Sequence, residues 1–542
     1  MTSLTGLPAI ITAARAGALD HAETLFRAGG FDRRSDDPAA LAVGGRLLKD
    51  RAALLPVEQR AAGFAAAAAA YAAADDLAPQ PYTRINLATL TMLAGNRDEA
   101  RRIAKAIVEW IASDASIRET PYFLAAAQAE AHLIRGETDT ARKAFAEAIA
   151  RAPTAYEDHA TTLRQLGLLA RHVGLDNAWL DDFRPPKSLH YAGQLGVAEM
   201  PEPRLLAEID SALENDRIGF AFGALAAGAE LTIAERVLAR GGELHVVLPI
   251  REAAFVAQSV LPYGEGWVRR FAACRNAAES WTESASNTGS YEPLASHLAA
   301  DVAMGAAVGF SRRVASEAVQ LVLVDDGAGE FGGGLNTARD ARRWQATGRP
   351  TRVLRTPRVA TVVASSLRAE PEGRADRRLA AILQIDFQGL GDLDEAQFAD
   401  VVDTVLLPWR AALGRIATQP SIVLPCGNSR IVAFENPESA FAFARQLLAM
   451  PTGGFPVRIA GHYGLAHWLT APDALVGRSV GQLAAIAAAA FPGTLTVSEN
   501  FASALLLGVA DDTYAEPLGE AGELRLFAIR SPQDGLPGSD GV

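Results

Sequence analysis

The string Gly-x-x-x-x-Ala recurs at the same point of a helical pattern in three places within the first 141 residues: GALDHA from Gly17, GNRDEA from Gly95 and GETDTA from Gly136. Ala100 and Ala141 lie 41 residues apart. Pro81 and Pro121, each followed by Tyr, lie 40 apart and open the corresponding first helices. A period of this length constrains the fold strongly. Each copy is one helical pair that cannot bury its apolar face alone, so copies must stack. In the third copy Ala141, Phe145, Ala148 and Pro153 fall at i, i+4, i+7 and i+12. Small residues at those points let two helices approach closely, and the proline ends the second one.

The pattern A-x3-F-x2-A-x4-P resembles the second helix of a tetratricopeptide repeat. Two departures stand out. Ala129 occupies the place where that repeat usually has Gly, and the spacing exceeds its period of about 34. Residues 1–185 are therefore expected to form all-α helical repeats whose concave face binds a protein partner. The alternative is a helical layer packed against the rest of the same chain.

The pattern changes near Pro203. A short apolar run, IGFAFG from Ile218, leads into a Gly-containing turn. A helix, LTIAERVLARGG, and a continuous apolar strand, ELHVVLP from Glu243, follow. A fully apolar strand after a helix indicates a parallel sheet. VQLVLVDDG, from Val319, ends in acidic residues at the carboxyl end, where ligands bind in such sheets. FGALAAGAELTIAERVLARGGELHVVLP and SVLPYGEGWVRRF resemble the SLOG group of Rossmann-like domains, over about Asp216 to Pro357. That resemblance implies a ligand of nucleotide type. Gly223 and Gly228 would then place backbone N–H groups at a phosphate, with Glu230 and Glu235 beside it. The plainer alternative is a bare βα turn in which Glu230 offsets the helix dipole. GAGEFGGGLNTARD (327–340) reads as a loop beside that site, and residues 365–376 read as a linker.

The last third opens with RRLAAILQIDFQGLG from Arg377, continues with IVLPCGNSRIVAF and RIAGHYG, and closes with LVGRSVGQLAAIAAAAFPGTLTVSENF. A strand-helix-strand-strand-helix-strand order is ferredoxin-like. These four strings, ungapped and in order, resemble the class III adenylate/guanylate cyclase domain. The overall expectation is a multidomain chain. All-α helical repeats (1–185) precede an α/β Rossmann-like domain (203–357). An α+β ferredoxin-like cyclase domain (376–531) and a flexible tail (532–542) complete it.

The resemblance implies a dimeric site in which two aspartates hold two divalent metals, Mg²⁺ or Mn²⁺. Those ions would activate a ribose hydroxyl and neutralise developing charge. The first aspartate is present as Asp386. The second position is Asn428, which offers a carbonyl oxygen but no charge. The partner half is emptier. Leu424 stands at the base-reading lysine and Ala474 at the adenine-reading aspartate. Gly481 stands at the ribose-orienting asparagine and Ala485 at the transition-state arginine. Losing one such electrostatic group costs ~10²–10³ in rate. Asp386 reads either as a residual metal ligand or as a strand-end carboxylate bonded to the following turn.

The chain carries a net charge of -12, which excludes a nucleic-acid binder and docking on an anionic membrane. Its two cysteines, Cys274 and Cys426, are far apart, so neither a disulfide framework nor a zinc site is expected. The N-terminus lacks a basic signal-peptide region, and a cytoplasmic location is expected. The leading expectation is a signalling or scaffold protein that homodimerises through a degenerate, inactive cyclase-like domain. One alternative is an active divergent cyclase using Asp473, Arg478, His462 or His467 as substitute groups. The other is a nucleotide-processing enzyme with Glu230 and Glu235 as acid and base.

Overall fold

Glycines at the helix corners explain the repeated string. Gly17, Gly95 and Gly136 adopt φ of 83°, 92° and 84°, the left-handed conformation that closes a helix and that other residues avoid. The computed structural model describes residues 6–113, 117–285, 293–326, 329–332, 334–359, 377–426, 429–470 and 473–531. Its N-terminal part is helical. The helices are α1 (Leu7–Arg15), α2 (Leu19–Ala28), α3 (Pro38–Leu54), α4 (Val57–Leu77), α5 (Pro81–Leu93), α6 (Arg97–Ser113), α7 (Pro121–Ile134), α8 (Thr138–Arg151) and α9 (Tyr156–Val173). Asp37 caps α3 by accepting from the N–H groups of Ala39 and Ala40, and Thr120 caps α7 through the N–H of Phe123.

The pair α3/α4 fills the interval between Gly17 and Gly95, where no corner carries the string. Its corner is Leu55–Pro56 rather than a glycine turn. Phe145 and Ala148 are fully buried, as close helix packing requires.

The chain divides into two compact units. The helices belong to one, and residues 186–312 with 316–529 form the other. This second unit holds two sheets. The first contains β1 (Lys187–Gly193), β2 (Ile218–Gly223), β3 (Glu243–Leu248), β4 (Ser280–Glu283), β5 (Ala318–Val324) and β6 (Thr351–Arg355). Every pairing is parallel, in the order β4-β3-β2-β1-β5-β6. Helices α10 (Pro203–Asn215), α11 (Ala229–Ala239), α12 (Glu252–Ser259), α13 (Glu265–Ala277), α14 (Pro293–Arg313) and α15 (Leu335–Gln345) connect the strands.

The expected start at 203 is corrected here, because β1 lies in the middle of the sheet. Its polar residues disguise it. Ser188 and His190 are buried, and His190 bonds Gln320 at 3.1 Å and stacks on Trp344. The expected loop at 327–340 is also corrected. Helix α15 begins at Leu335 and buries Thr337, Ala338 and Ala341. The expected linker (365–376) and tail (532–542) lie outside the described residues.

The second sheet opens with β7 (Arg377–Phe387), α16 (Glu395–Val401) and α17 (Leu407–Leu413). The hairpin β8 (Ile422–Cys426) and β9 (Ser429–Phe434) follows, then α18 (Pro437–Leu448) and β10 (Val457–Thr470). Its remainder is β11 (Asp473–Val476), α19 (Arg478–Ala489), β12 (Leu495–Ser498), α20 (Glu499–Gly508), β13 (Tyr514–Ala521) and β14 (Leu524–Arg530). The order is β13-β14-β12-β10-β7-β9-β8, with β11 paired to β10. The long β7 is antiparallel to both β9 and β10.

The two sheets are not separately cored. One hydrophobic cluster includes Leu244, Val302 and Leu321 of the first and Leu383, Phe441 and Phe501 of the second. Helix α14 joins them. By length and composition it could cross a membrane, yet it lies in this core, with Asp301 only 1% exposed.

Candidate functional site

Asp386 and Gln384 alternate onto the same face of β7. Asp386 sits opposite Arg458 of β10 and Ser429 of β9, and is 7% exposed. Its carboxylate is already engaged. Gln384 Nε2 donates to both oxygens at 3.2 Å, and Arg458 Nε pairs with Oδ2 at 3.3 Å. Arg458 also reaches the Gln388 carbonyl oxygen at 2.8 Å once that amide is oriented to accept. A hard divalent cation takes six or so oxygen ligands, carboxylates foremost. Here one carboxylate faces an arginine. Among the described residues no group of three or more His, Cys, Asp or Glu could hold a metal. This donor set does not fit Mg²⁺ or Mn²⁺. Asn428 lies outside the described residues.

The four positions expected to form the partner half carry no polar side chain. Leu424 on β8 pairs with Ile431 and packs against an apolar cluster. Ala474 on β11 pairs with Leu469. Gly481 and Ala485 share an exposed face of α19, and a Cβ at Gly481 would meet nothing within 4 Å. None of the four carries a side-chain donor or acceptor for a base, a ribose or a phosphate.

Two of the substitute groups are committed elsewhere. His462 is 3% exposed and bonds Ser498 Oγ at 2.8 Å; burial, aided by the Arg478 charge, pushes its pKa down to about 4. Arg478 pairs with Glu523 at 2.9 Å. His467 lies in the β10 ladder opposite Arg377 and Val476, and Asp473 opposite Thr470.

At the carboxyl ends of the parallel sheet, the turn into α11 closes on its own groups. Ala226 N–H donates to Glu230 Oε2 at 2.8 Å, Ala227 N–H to the Ser259 carbonyl, and Ala229 N–H to the Gln194 carbonyl. These are donors that a phosphate at this helix end would need. Gly223 serves packing, since a Cβ there would stand 2.7 Å from the Tyr191 ring. Gly228 takes a φ of 120° and presses on the Gln194 carbonyl.

Burial holds Glu230 up at about 7, against the lowering effect of the Ala226 N–H. Glu235 is paired by both oxygens to Arg270, at 2.6 and 2.8 Å, and Arg270 stacks over Trp267. Five positions apart on a helix, the two glutamates point about 140° from one another, which does not suit an acid/base pair. At the acidic end of β5, Asp325 pairs with Arg358 at 2.8 Å.

Sequence reasoning missed the densest charge cluster. Asp301 of α14 forms ion pairs with Arg339 at 2.8 Å and Arg343 at 3.0 Å, both on α15, and Tyr463 of β10 donates to it at 3.4 Å. Arg343 reaches Glu438 of α18 at 3.4 Å. Arg339 also holds Asp340, whose carboxyl burial raises to about 7. Nearby, Asp511 pairs with Arg312 at 2.8 Å and Arg349 at 2.6 Å. Arg343 and Glu438 are 95 residues apart and Arg312 and Asp511 are 199 apart, so no local spacing could signal these pairings.

No family model matches the chain, and no curated protein matches it. Solved structures similar to it include several that cover 28 to 30% of this chain. Adenylyl cyclase CyaB from P. aeruginosa is 12% identical, over 30% of this chain and 98% of that one, with a TM-score of 0.25. The adenylate/guanylate cyclase/hydrolase from Silicibacter pomeroyi is 20% identical, over 29% and 98%, with a TM-score of 0.23. The guanylate cyclase domain of RhGC from Catenaria anguillulae, in complex with GTP, is 14% identical, over 29% and 99%, with a TM-score of 0.24.

Proposed function

We propose that this chain is a signalling scaffold whose C-terminal sheet is a cyclase-like module without cyclase chemistry. The observation that carries this reading is the Asp386–Arg458 pair. The carboxylate that would bind metal is answered by a guanidinium. Leu424, Ala474, Gly481 and Ala485 remove the base-reading and charge-stabilising half in any dimer. The module then serves homodimerisation, a role supported by exposed Val423, Leu469 and Val476 on its β8 and β10–β11 strands. The helical repeats supply a second surface, for a protein partner.

The test is direct. Purified full-length protein is incubated with ATP or GTP and Mg²⁺ or Mn²⁺, and cyclic nucleotide is measured. No product above a protein-free blank is expected. Product that disappears in Asp386→Ala would overturn the reading.

A nucleotide-type ligand at the parallel sheet is a second reading. It is favoured by the strand order, which reverses at β1 between β2 and β5, the place where open parallel sheets hold ligands. Equilibrium dialysis of labelled ATP and GTP against the full chain tests it. No retention of either at millimolar concentration sinks it.

A further inference from the structure

The helical unit contains a half-enclosed cavity of about 400 Å³, between α1, α3 and the start of α5. That volume lies within the range of small-molecule sites. The cavity exists because the helical layers are not evenly stacked. Helix α5 packs along α7, whereas α3 and α5 barely touch. Ile11, Ala42 and Val43 give it an apolar wall, and Arg46 and Tyr82 face it from the same lining.

The polar groups are held firmly. Arg46 is 9% exposed and forms an ion pair with Asp50, one turn further along α3, at 3.8 Å. Tyr82 Oη lies 3.3 Å from Tyr71 Oη, and Tyr71 is fully buried. A Cβ at Gly45 would stand 2.9 Å from the Tyr71 ring, so α3 and α4 are already in contact below the cavity and cannot close it further. At the mouth, Asp75 accepts from Thr83 Oγ1 at 2.8 Å, from Gln80 N–H at 3.2 Å and from Arg84 at 2.8 Å. The α4–α5 corner is thereby fixed before any ligand arrives.

An arginine in an apolar wall is costly, because taking a charge out of water costs several kcal/mol. Its guanidinium is planar and weakly hydrated, and its five N–H donors suit carboxylates. It can hold Asp50 and a second carboxylate together. We propose that this cavity binds a small carboxylic acid with an apolar body of roughly eight carbons, a size the cavity volume allows. The acid group lies against Arg46 and the Tyr82 hydroxyl, and the hydrocarbon lies against Ile11, Ala42 and Val43. Burial keeps both tyrosines protonated, so Tyr82 meets the acid as a neutral hydroxyl.

The experiment uses the full-length chain with octanoate, octanol and octylamine as probes, read by calorimetry and thermal shift. Octanoate is expected to bind and raise the melting temperature with dose, with octanol at least tenfold weaker and octylamine inactive. Ala42→Phe fills the cavity and is expected to abolish the octanoate response. Ala39→Leu, at the exposed rim, guards against misfolding of the first variant and is expected to weaken binding severalfold. Arg46→Lys keeps the charge, loses the planar fork and is expected to weaken octanoate about tenfold. The proposal is overturned if octanoate has no effect at millimolar concentration, if octanol matches it, or if folded Ala42→Phe and Ala39→Leu proteins both respond like the parent.

Discussion

Gly305 of α14 lies directly against the backbone of Ser503 in α20: a Cβ on Gly305 would stand 1.6 Å from the Ser503 carbonyl oxygen. No side chain can be accommodated there without separating the two helices. Because α14 belongs to the parallel sheet and α20 to the second sheet, this contact fixes how closely the two helices approach.

Gly305→Ala is therefore expected to destabilise the protein by about 1–3 kcal/mol, the usual cost of overpacking. Gly309→Ala is the control. Its nearest neighbour, Leu506 Cδ1 at 2.8 Å, is the end of a flexible side chain. Urea denaturation of the two variants compares them, and equal midpoints would refute the role given to Gly305.

Asp301→Asn removes the charge that Arg339 and Arg343 share, inside the same core. Breaking a buried pair costs up to about 3–5 kcal/mol, and less here because the arginines left behind are partly exposed. Asp216→Asn breaks the more exposed pair with Arg352 and should cost about 0–1 kcal/mol. Chemical denaturation monitored by tryptophan fluorescence should rank them in that order.

Stability should decline as pH rises from about 6.5 to 8. Glu230 and Asp340 are held at about 7 in the fold, whereas carboxylates in an unfolded chain titrate near 4. Between those values the folded chain retains protons that the unfolded chain has lost, so rising pH favours unfolding until both groups have ionised near neutrality. His190 and His462 act with opposite sign at lower pH. Burial holds them at about 3 and 4, so the unfolded chain takes up protons first below about 6.5. A Glu230→Gln, Asp340→Asn double variant should flatten the decline above 6.5, measured as the urea midpoint at both pH values. An unchanged slope would show that these carboxyls do not cause it.

Asp386→Asn weakens the pair with Arg458 and should cost about 1–3 kcal/mol, as expected for a hydrogen bond to a charged group. It should leave nucleotide turnover at the blank level, where the parent is also expected to sit. A structural loss with no catalytic loss is the signature of a carboxylate retained for the fold. A rise in melting temperature on adding Mn²⁺ to the parent, absent in the variant, would contradict it.

Much of the second sheet was legible because β7 and β9 alternate or run apolar between clear turns. The positions Leu424, Ala474, Gly481 and Ala485 could be compared one by one, since their chemistry is visible in the residue type. Other features were hidden for physical reasons. β1 escaped notice because Ser188 and His190 are polar yet buried, and the Gln320 that answers His190 lies 130 residues away. Gly228 and Glu230 suggested an anion site, because nothing local shows that the glutamate itself occupies a turn N–H. Arg458 is 72 residues from Asp386, so their pairing depends on strand register rather than spacing.

The place of α14 has a consequence for how the chain is made. A ribosome releases Gly305 long before Ser503, and the intervening 198 residues take roughly 10–40 s at elongation rates of about 5–20 residues per second. Through that interval the apolar flank of α14, with its carboxylate at Asp301, has no second sheet to cover it. The parallel sheet cannot reach its final packing as it emerges, and nascent chains halted after β6 should be protease-sensitive and chaperone-bound, with protection appearing only once α20 has left the exit tunnel.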